Sequence, residues 1–322
     1  MKAVMFVPKP GGAAVEVREI EKPAPGPGEV LVRVRAAGLN RGELVVRQGL
    51  ASGAPQQTGI EFAGEVAAPG AGAARFKGGE RVMGHWRGGQ AEFVAVDERL
   101  LVPVPGRLSW PEAGAWLNVF TTAHDAIVTN GRLQRGESIL VNAASSGIGV
   151  AALQIARLLG AKPILASSRS RAKLEKLAAY GMEIGVGAGP GETEAVAQAT
   201  GKKGVDVLID SVGGADAQRS LESMAVLGRW VSVGRLAGNT GTIDLDQLAL
   251  KRVKLIGVTF RTRTKDERIA CVQRCADDLL PALADGRLKP VVHATFPMAE
   301  VKAAHAAMER NEHIGKLVLE IP

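Results

Sequence analysis

Residues 142–152 read N-A-A-S-S-G-I-G-V-A-A, in which Gly147, Gly149 and Ala152 fit the pattern G-x-G-x-x-A. The stretch follows a short apolar run at 138–142 and leads into a predicted helix at 149–159. A glycine turn between a strand and a helix lets an anion approach the backbone, where the first helical N–H groups have no partner within the helix. This context predicts a site for the pyrophosphate of a dinucleotide. The alternative is a helix start whose glycines serve packing alone.

Strands and helices alternate on both sides of this turn. The other strand candidates of this region are 163–166, 184–186, 205–210, 229–233 and 255–260. Buried apolar strands that alternate with helices form a parallel sheet covered on both faces. We therefore predict an α/β fold whose doubly wound Rossmann domain covers residues 121–261.

The flanking segments have a different pattern. Residues 1–120 alternate strands with Gly- and Pro-rich turns, and the alternation is clearest at 29–35. Beyond 262, two predicted helices, 268–284 and 298–309, are interleaved with strands at 290–295 and 315–321. We predict that 1–120 form a mostly antiparallel, barrel-like domain.

Composition limits the class of ligand. The 322 residues carry a net charge of +7, which favours anionic ligands, but the basic residues are scattered and aromatic residues make up 4%. A nucleic-acid groove is therefore poorly supported and is kept as an alternative. Cys271 and Cys275 are the two cysteines, too few for a disulfide framework, and no apolar run approaches the roughly 18 residues that span a bilayer. We predict a cytoplasmic protein without membrane contact.

The end of the second strand bears on the choice of cofactor. An NAD-binding fold usually offers a carboxylate there to the ribose hydroxyls, whereas residues 166–173 read A-S-S-R-S-R-A-K. Hydroxyl and cationic groups suit the 2′-phosphate of NADP(H), because a guanidinium can hold a phosphate by paired charge-assisted bonds. Arg169 and Lys173 are the predicted phosphate contacts. The alternative is a solvated basic turn.

Two families of nicotinamide enzymes share such a glycine motif. Short-chain dehydrogenases need Tyr-x-x-x-Lys, but the single tyrosine, Tyr180, is followed by Gly-Met-Glu-Ile. Over nearly its whole length the chain instead resembles the medium-chain dehydrogenase/reductase superfamily, specifically its zinc-free quinone oxidoreductase (zeta-crystallin-like) branch. The stretches that carry the resemblance are 25–34, 36–40, 78–82, 204–214 and 311–316.

The resemblance implies a discontinuous GroES-like substrate domain, 1–120 and 262–322, beside a dinucleotide-binding domain, 121–261. Zinc is not expected, since the alcohol-dehydrogenase branch has a cysteine where Asn40 stands and Gly-His-Glu in place of Gly59-Ile60-Glu61. An amide and an aliphatic chain cannot replace thiolate and imidazole as zinc ligands. Without a Lewis acid, a quinone or an activated C=C bond is easier to reduce than a ketone.

The resemblance also implies that NADPH lies across the cleft between the domains. Asn40 is the candidate catalytic donor for the carbonyl oxygen or for substrate positioning, with a turn-holding Asn as the alternative, and Thr122 is expected beside the nicotinamide. His85 is a weaker proton-donor candidate; a surface loop histidine is the favoured interpretation. The predicted cofactor-binding residues are Asn142, Ala144, Ser145, Ser146, Gly147, Ile148, Gly149, Ser167, Ser168, Arg169, Lys173, Ser211, Val212, Gly213, Val233, Gly234, Phe260, Arg261 and Asn311.

The expected function is therefore NADPH-dependent hydride transfer to a quinone or an enone. Two alternatives stay open: a 2-enoyl thioester reductase, to which Asn142 and Ser145 are similar although no tyrosine lies in 1–120, and a non-catalytic NADPH-binding protein. The last strand, 253–260, is expected at an edge of the sheet, and such strands pair across a twofold axis in this family. A homodimer is predicted.

Overall fold

The computed structural model describes residues 1–322, and the chain divides into two compact units. The discontinuous unit consists of Met1–Thr121 and Thr264–Pro322, and the central unit of Thr122–Arg263. The strands are β1 (Lys2–Lys9), β2 (Gly12–Glu19), β3 (Glu29–Gly38), β4 (Gln56–Gln57), β5 (Phe62–Pro69), β6 (Arg81–Gly84), β7 (Phe93–Asp97), β8 (Leu101–Pro103), β9 (Ile139–Val141), β10 (Ile164–Ser168), β11 (Ile184–Gly187), β12 (Val205–Asp210), β13 (Met224–Ser232), β14 (Lys254–Gly257), β15 (Val292–Pro297) and β16 (Lys316–Glu320).

Ten α-helices accompany these strands. They are α1 (Arg41–Gly49), α2 (Trp110–Gly114), α3 (Leu117–His124), α4 (Gly147–Leu159), α5 (Arg171–Leu177), α6 (Glu192–Ala199), α7 (Ala217–Glu222), α8 (Leu245–Lys251), α9 (Lys265–Ala284) and α10 (Val301–Arg310). A π-helical turn, Asp125–Asn130, follows α3. No helix is both long enough and apolar enough to cross a membrane.

The central unit is the predicted doubly wound sheet. Its six strands are all parallel, in the order β11-β10-β9-β12-β13-β14. Strands β9 and β12 are buried almost throughout, and the core includes Leu140, Leu165 and Leu208, each fully buried. These strands read as continuous apolar runs because helices cover both faces of a parallel sheet. The expected edge strand, β14, does lie at an edge.

The discontinuous unit holds the mostly antiparallel part of the fold. Its larger sheet runs β15-β16-β3-β5-β6-β8, with β7 also on β3, and β1 pairs with β2 and β4 in a smaller sheet. β16, from the end of the chain, pairs antiparallel with β3, so the C-terminal segment completes this sheet. The predicted fold class is thereby confirmed.

Several element ends differ from prediction for local reasons. Helix α9 begins at Lys265 rather than 268, because Thr264 and Glu267 form a capping box at its start. The last central strand ends at Gly257 rather than 260. Beyond it the chain turns, and the Arg263 Nε donates to the Thr259 carbonyl (3.1 Å).

Candidate functional site

The glycine turn lies between β9 and α4. Helix α4 begins at Gly147 with Ser146 as its N-cap, and the Ser146 hydroxyl accepts from the Gly149 N–H at 3.1 Å. A Cβ added to Gly149 would lie 2.5 Å from the Ala144 carbonyl oxygen, so glycine is required at this close approach. Gly149 therefore packs directly on Ala144, which fixes the turn at the start of a 13-residue helix.

Neighbouring strands hold this turn in place. The Asn142 N–H donates to Ile209 of β12 (3.0 Å), and the Ala144 N–H donates to Ser167 of β10 (3.1 Å). The Asn142 side chain is 5% exposed, and its Oδ1 has no hydrogen-bond partner. A buried amide oxygen without a partner is costly unless a ligand or water satisfies it. The predicted cofactor residue Asn142 therefore carries a buried acceptor that the protein itself does not use.

Two further predicted cofactor-binding stretches lie beyond the carboxyl ends of parallel strands, as the glycine turn does. Ser211, Val212 and Gly213 follow β12, and Val233 and Gly234 follow β13, where parallel strands end side by side. Ligands of doubly wound folds bind beyond these carboxyl ends.

Asp210 holds the stretch after β12 in place through hydrogen bonds, a role that the sequence analysis missed. Its side chain is fully buried, and its Oδ1 accepts from the Val212 N–H (2.8 Å) and the Gly213 N–H (3.2 Å). Its Oδ2 accepts from Trp230 Nε1 at 3.0 Å. The available signal was an acidic residue at the end of a strand whose four apolar residues are all buried.

The predicted phosphate pocket lies at the end of β10. Ser170 caps α5 by accepting from the Lys173 N–H (3.3 Å), and the Ser168 hydroxyl accepts from the Ser170 N–H (3.2 Å). Arg169 is exposed, whereas Ser167 is buried. The basic side chains therefore surround a capped turn on the surface of the central unit.

Residues 166–173 contain no carboxylate, but the fold brings one to them. Glu192, 6% exposed at the start of α6, hydrogen-bonds the Ser167 side chain and accepts from the Gly189 N–H at 3.2 Å. Burial raises the pKa of this carboxyl above its ordinary value. The expectation that no carboxylate is available here was therefore incomplete, because Glu192 comes from the following β–α connection.

A buried ion pair lies in the discontinuous unit. The Lys316 Nζ, on β16, contacts the Leu39 carbonyl oxygen at 2.5 Å, Asn40 Oδ1 at 2.7 Å and Glu61 Oε1 at 2.5 Å. The side chains of Lys316 and Glu61 are 5% and 1% exposed. Three acceptors satisfy the three hydrogens of the ammonium group. Sequence reasoning missed Lys316, although it singled out Asn40 beside it.

Asn40 is saturated by this network. Its Nδ2 donates to the Gly38 carbonyl (3.2 Å) and to Glu61 (3.0 Å), while its Oδ1 accepts from Lys316 and from Asn118 Nδ2 (2.8 Å). Asn40 precedes α1 but makes no capping bond with its side chain. Both amide hydrogens are used inside the protein, so the amide orders its neighbours.

His85 continues the network and is not the surface histidine that we expected. It is 2% exposed, and its Nε2 lies 3.0 Å from Asn118 Oδ1. Because Asn118 Nδ2 donates to Asn40, its Oδ1 faces the ring and Nε2 carries the proton. Burial lowers the pKa of His85 to about 4, so the ring is neutral at pH 7 and is not an acid there.

The other predicted residues are divided between the two units. Thr122, 8% exposed in α3, belongs to the central unit, as do Phe260 and Arg261 beyond β14. Asn40 and Asn311 belong to the discontinuous unit. Asn311 ends α10 with a left-handed φ of 57°, and its Oδ1 accepts from Arg41 Nη2 at 2.8 Å. The structure therefore gives Asn311 a capping position and an arginine partner.

Comparison with known proteins identifies the family. The profile of the alcohol dehydrogenase GroES-like domain matches residues 26–106, and the profile described as zinc-binding dehydrogenase matches 190–319. The quinone oxidoreductase of Homo sapiens is 30% identical over 329 residues, which cover 99% of this chain and 97% of the human protein. The chain belongs to the medium-chain dehydrogenase/reductase superfamily.

Other superfamily members carry different names. The spectinabilin polyketide synthase system protein NorB of Streptomyces orinoci is 33% identical over 297 residues, 92% of this chain but 13% of that protein. The structure of an NAD-dependent alcohol dehydrogenase matches with a TM-score of 0.90 at 30% identity and covers 100% of both chains. That of the CurK enoyl reductase has a TM-score of 0.88 at 27% identity and covers 100% of this chain and 99% of that one.

One of the two matching profiles is described as zinc-binding, so the residues of this chain can be compared with the ligands that zinc requires. No group of three or more His, Cys, Asp or Glu is arranged to hold a metal ion. Near Asn40 and Glu61 the positive charge is the Lys316 ammonium, and a dication there would be repelled by it. Cys271 and Cys275 are buried in α9, and burial raises the pKa of Cys275 to about 12, which disfavours the thiolate that binds metals. These residues do not fit a zinc centre.

Proposed function

We propose that this superfamily member is an NADPH-dependent oxidoreductase that transfers hydride to a quinone or an enone C=C bond without zinc. The observation that carries the proposal is the glycine turn, where Gly149 lies against Ala144 and the Asn142 oxygen has no partner. The backbone N–H groups at the start of a helix that follows such a closely packed turn suit an anionic dinucleotide. The relationship to quinone oxidoreductases supports the substrate class.

In this proposal the central unit binds the cofactor. Residues 144–149 hold the pyrophosphate, and the stretches after β12 and β13 border the rest of the dinucleotide. Arg169 and Lys173 hold the 2′-phosphate, while Glu192 is buried and already engaged by Ser167 and Gly189. When bound, NADPH supplies the hydride, and Thr122 orients the nicotinamide.

The discontinuous unit orients the substrate. Asn40 positions neighbouring groups through Lys316 and Asn118, because its own amide hydrogens are already donated. The Lys316 ammonium group pairs with the buried Glu61 carboxylate, so no metal cation is needed to neutralise that carboxylate. The buried His85 is neutral at pH 7 and does not act as the acid, and water is the proposed source of the proton that completes C=C reduction.

A specific observation favours a second candidate, reduction of a 2-enoyl thioester. The CurK enoyl reductase and a polyketide synthase component are both similar to this chain. The thioester activates the C=C bond as a ketone does, so the same binding of cofactor serves both substrates.

Turnover distinguishes these functions. NADPH oxidation is followed at 340 nm with a quinone, a simple enone and a 2-enoyl thioester, each with NADH as the comparison. We expect consumption of NADPH with the quinone or the enone, and a preference for the thioester would favour the second candidate. Binding of NADPH without turnover on any of the three would leave a non-catalytic binding protein. The cytoplasmic location and the homodimer remain proposals from composition and from the family.

A further inference from the structure

The segment after β14 begins at the carboxyl end of that strand, and the glycine turn follows the carboxyl end of β9 in the same parallel sheet. The Val258 N–H donates to Ser232 at the end of β13 (3.0 Å), and Val258 is 3% exposed. Phe260 is half-buried and Arg261 is exposed. The sequence predicts both residues as cofactor contacts, and the Val258 hydrogen bond alone does not fix their conformation.

Arg263 contacts two residues of this segment and one residue outside it. Its Nε donates to the Thr259 carbonyl (3.1 Å), and its guanidinium lies over the Phe260 ring, 4.7 Å from the centroid. Its Nη2 donates to Asp125 Oδ2 at 2.6 Å. The Arg261 N–H also donates to the Thr259 hydroxyl (3.2 Å). One guanidinium therefore joins the backbone, the aromatic ring and a carboxylate.

Asp125, the other end of this connection, is buried and hydrogen-bonded. Asp125 is 2% exposed, and Asn130 Nδ2 donates to both its main-chain oxygen (2.8 Å) and its Oδ2 (3.3 Å). Asp125 begins the π-helical turn that continues α3, one helical turn after Thr122. Single π-helical turns are frequent at functional sites. Arg263 thus links the Phe260 segment to the helix that carries the proposed nicotinamide contact.

We propose that Arg263 is a positioning residue that fixes Phe260 and Arg261 for cofactor binding by anchoring them to Asp125. The inference rests on the proposed function, because the cofactor that these two residues are predicted to contact is the NADPH of that function. A guanidinium is needed for the role, since its planar fork can stack on a ring and donate sideways at once. A lysine ammonium keeps the charge but cannot do both.

The test compares R263M and R263K with a matched control, R229M. Arg229 lies in the same unit, donates its Nε to the Gly131 carbonyl (2.9 Å) and pairs with Glu137, but it contacts no aromatic ring of the proposed site. For each variant, the Kd for NADPH is measured by titration and the thermal midpoint by calorimetry. Trypsin cleavage after Arg261, without cofactor, reports on the conformation of the segment.

We expect R263M to raise the Kd for NADPH at least tenfold and to speed cleavage after Arg261, with R263K between R263M and wild type. R229M should lower the thermal midpoint similarly while its Kd stays within twofold of wild type. D125N should act as R263M does, and the double variant should be no worse than R263M alone, since both act through one contact.

Three results would overturn the inference, and they are distinguishable. If wild type binds NADPH and R263M binds it equally well, the positioning role is wrong while the proposed function stands. If wild type binds no NADPH, the proposed function fails and the positioning role with it. Equal losses of affinity in R263M and R229M would show a merely structural contribution.

Discussion

At the residue scale, Lys316 shows how a long-range contact determines a site. The Asn40–Lys316 contact joins residues 276 positions apart, so no local pattern could reveal it. The motif around Asn40 was visible in the sequence, but the saturation of its amide was not, because that depends on which strands become neighbours. For the same reason the burial of His85 was predicted wrongly and Glu192 was overlooked, because burial and partners come from tertiary packing.

Removing the Lys316 charge should destabilise the discontinuous unit. In K316M, Glu61 would stay buried without its counter-ion, and breaking a buried pair costs about 3–5 kcal/mol. We expect a loss of that order in the free energy of unfolding by urea, partly restored in E61Q/K316M. K9M, an exposed lysine of the same unit, should stay within about 0.5 kcal/mol. A K316M protein as stable as wild type would refute the account of this pair.

Glu43 should give the stability a specific pH dependence. The carboxyl is 6% exposed, its Oε2 accepts from Gln90 Nε2 (3.0 Å), and burial raises its pKa from 4.5 to about 7. Between these pH values the folded state holds a proton that the unfolded chain releases, so the contribution is complete below pH 4.5 and is lost as the pH rises to 7.

E43Q removes this titration. The stability of E43Q relative to wild type should therefore rise by about 1 kcal/mol per pH unit between pH 5 and 7, and then level off. His85 and His305, whose pKa values burial lowers to about 4, act in the opposite sense in both proteins and cancel in the difference. Urea unfolding at pH 5, 6, 7 and 8 measures it, and a difference independent of pH would contradict the assignment.

At the element scale, the parts fixed by local chemistry were predictable. The strand–glycine turn–helix unit follows from Gly147 and Gly149 next to an apolar run, and β12 was predicted with its observed bounds. The last central strand was predicted too long, because the turn after Gly257 is made by Arg263 and Asp125, which are far apart in sequence. Local patterns predict elements well and their ends less well when a tertiary contact sets the end.

G149A tests the glycine turn as an element. The added Cβ would lie 2.5 Å from the Ala144 carbonyl oxygen, so the turn or the start of α4 must shift. We expect the Kd for NADPH to rise at least tenfold, together with a lower thermal midpoint. In G78A nothing lies within 4 Å of the new Cβ, and both quantities should be unchanged. Unaltered affinity in G149A would mean that the turn does not hold the pyrophosphate.

At the scale of the whole molecule, the exposed edge of the central sheet supports the proposed homodimer. Leu255 of β14 is 49% exposed, and Leu245 and Leu250 of α8 are 71% and 72% exposed. An open strand edge with apolar neighbours invites pairing with another chain. Light scattering should give twice the 33.6 kDa chain mass for wild type and for L236D, whose leucine is 51% exposed and whose N–H donates to Ser211 beyond β12. L255D should give the single-chain mass, and a monomeric wild type would refute the dimer.

The central claim concerns the whole molecule: a glycine turn and a basic pocket on one sheet capture a phosphorylated dinucleotide. Calorimetric titration of wild type and R169D with NADPH and with NADH tests it most directly. We predict that wild type binds NADPH, and that R169D weakens NADPH at least tenfold while changing NADH less than twofold. Absence of binding by either nucleotide, or equal losses for both in R169D, would contradict the account.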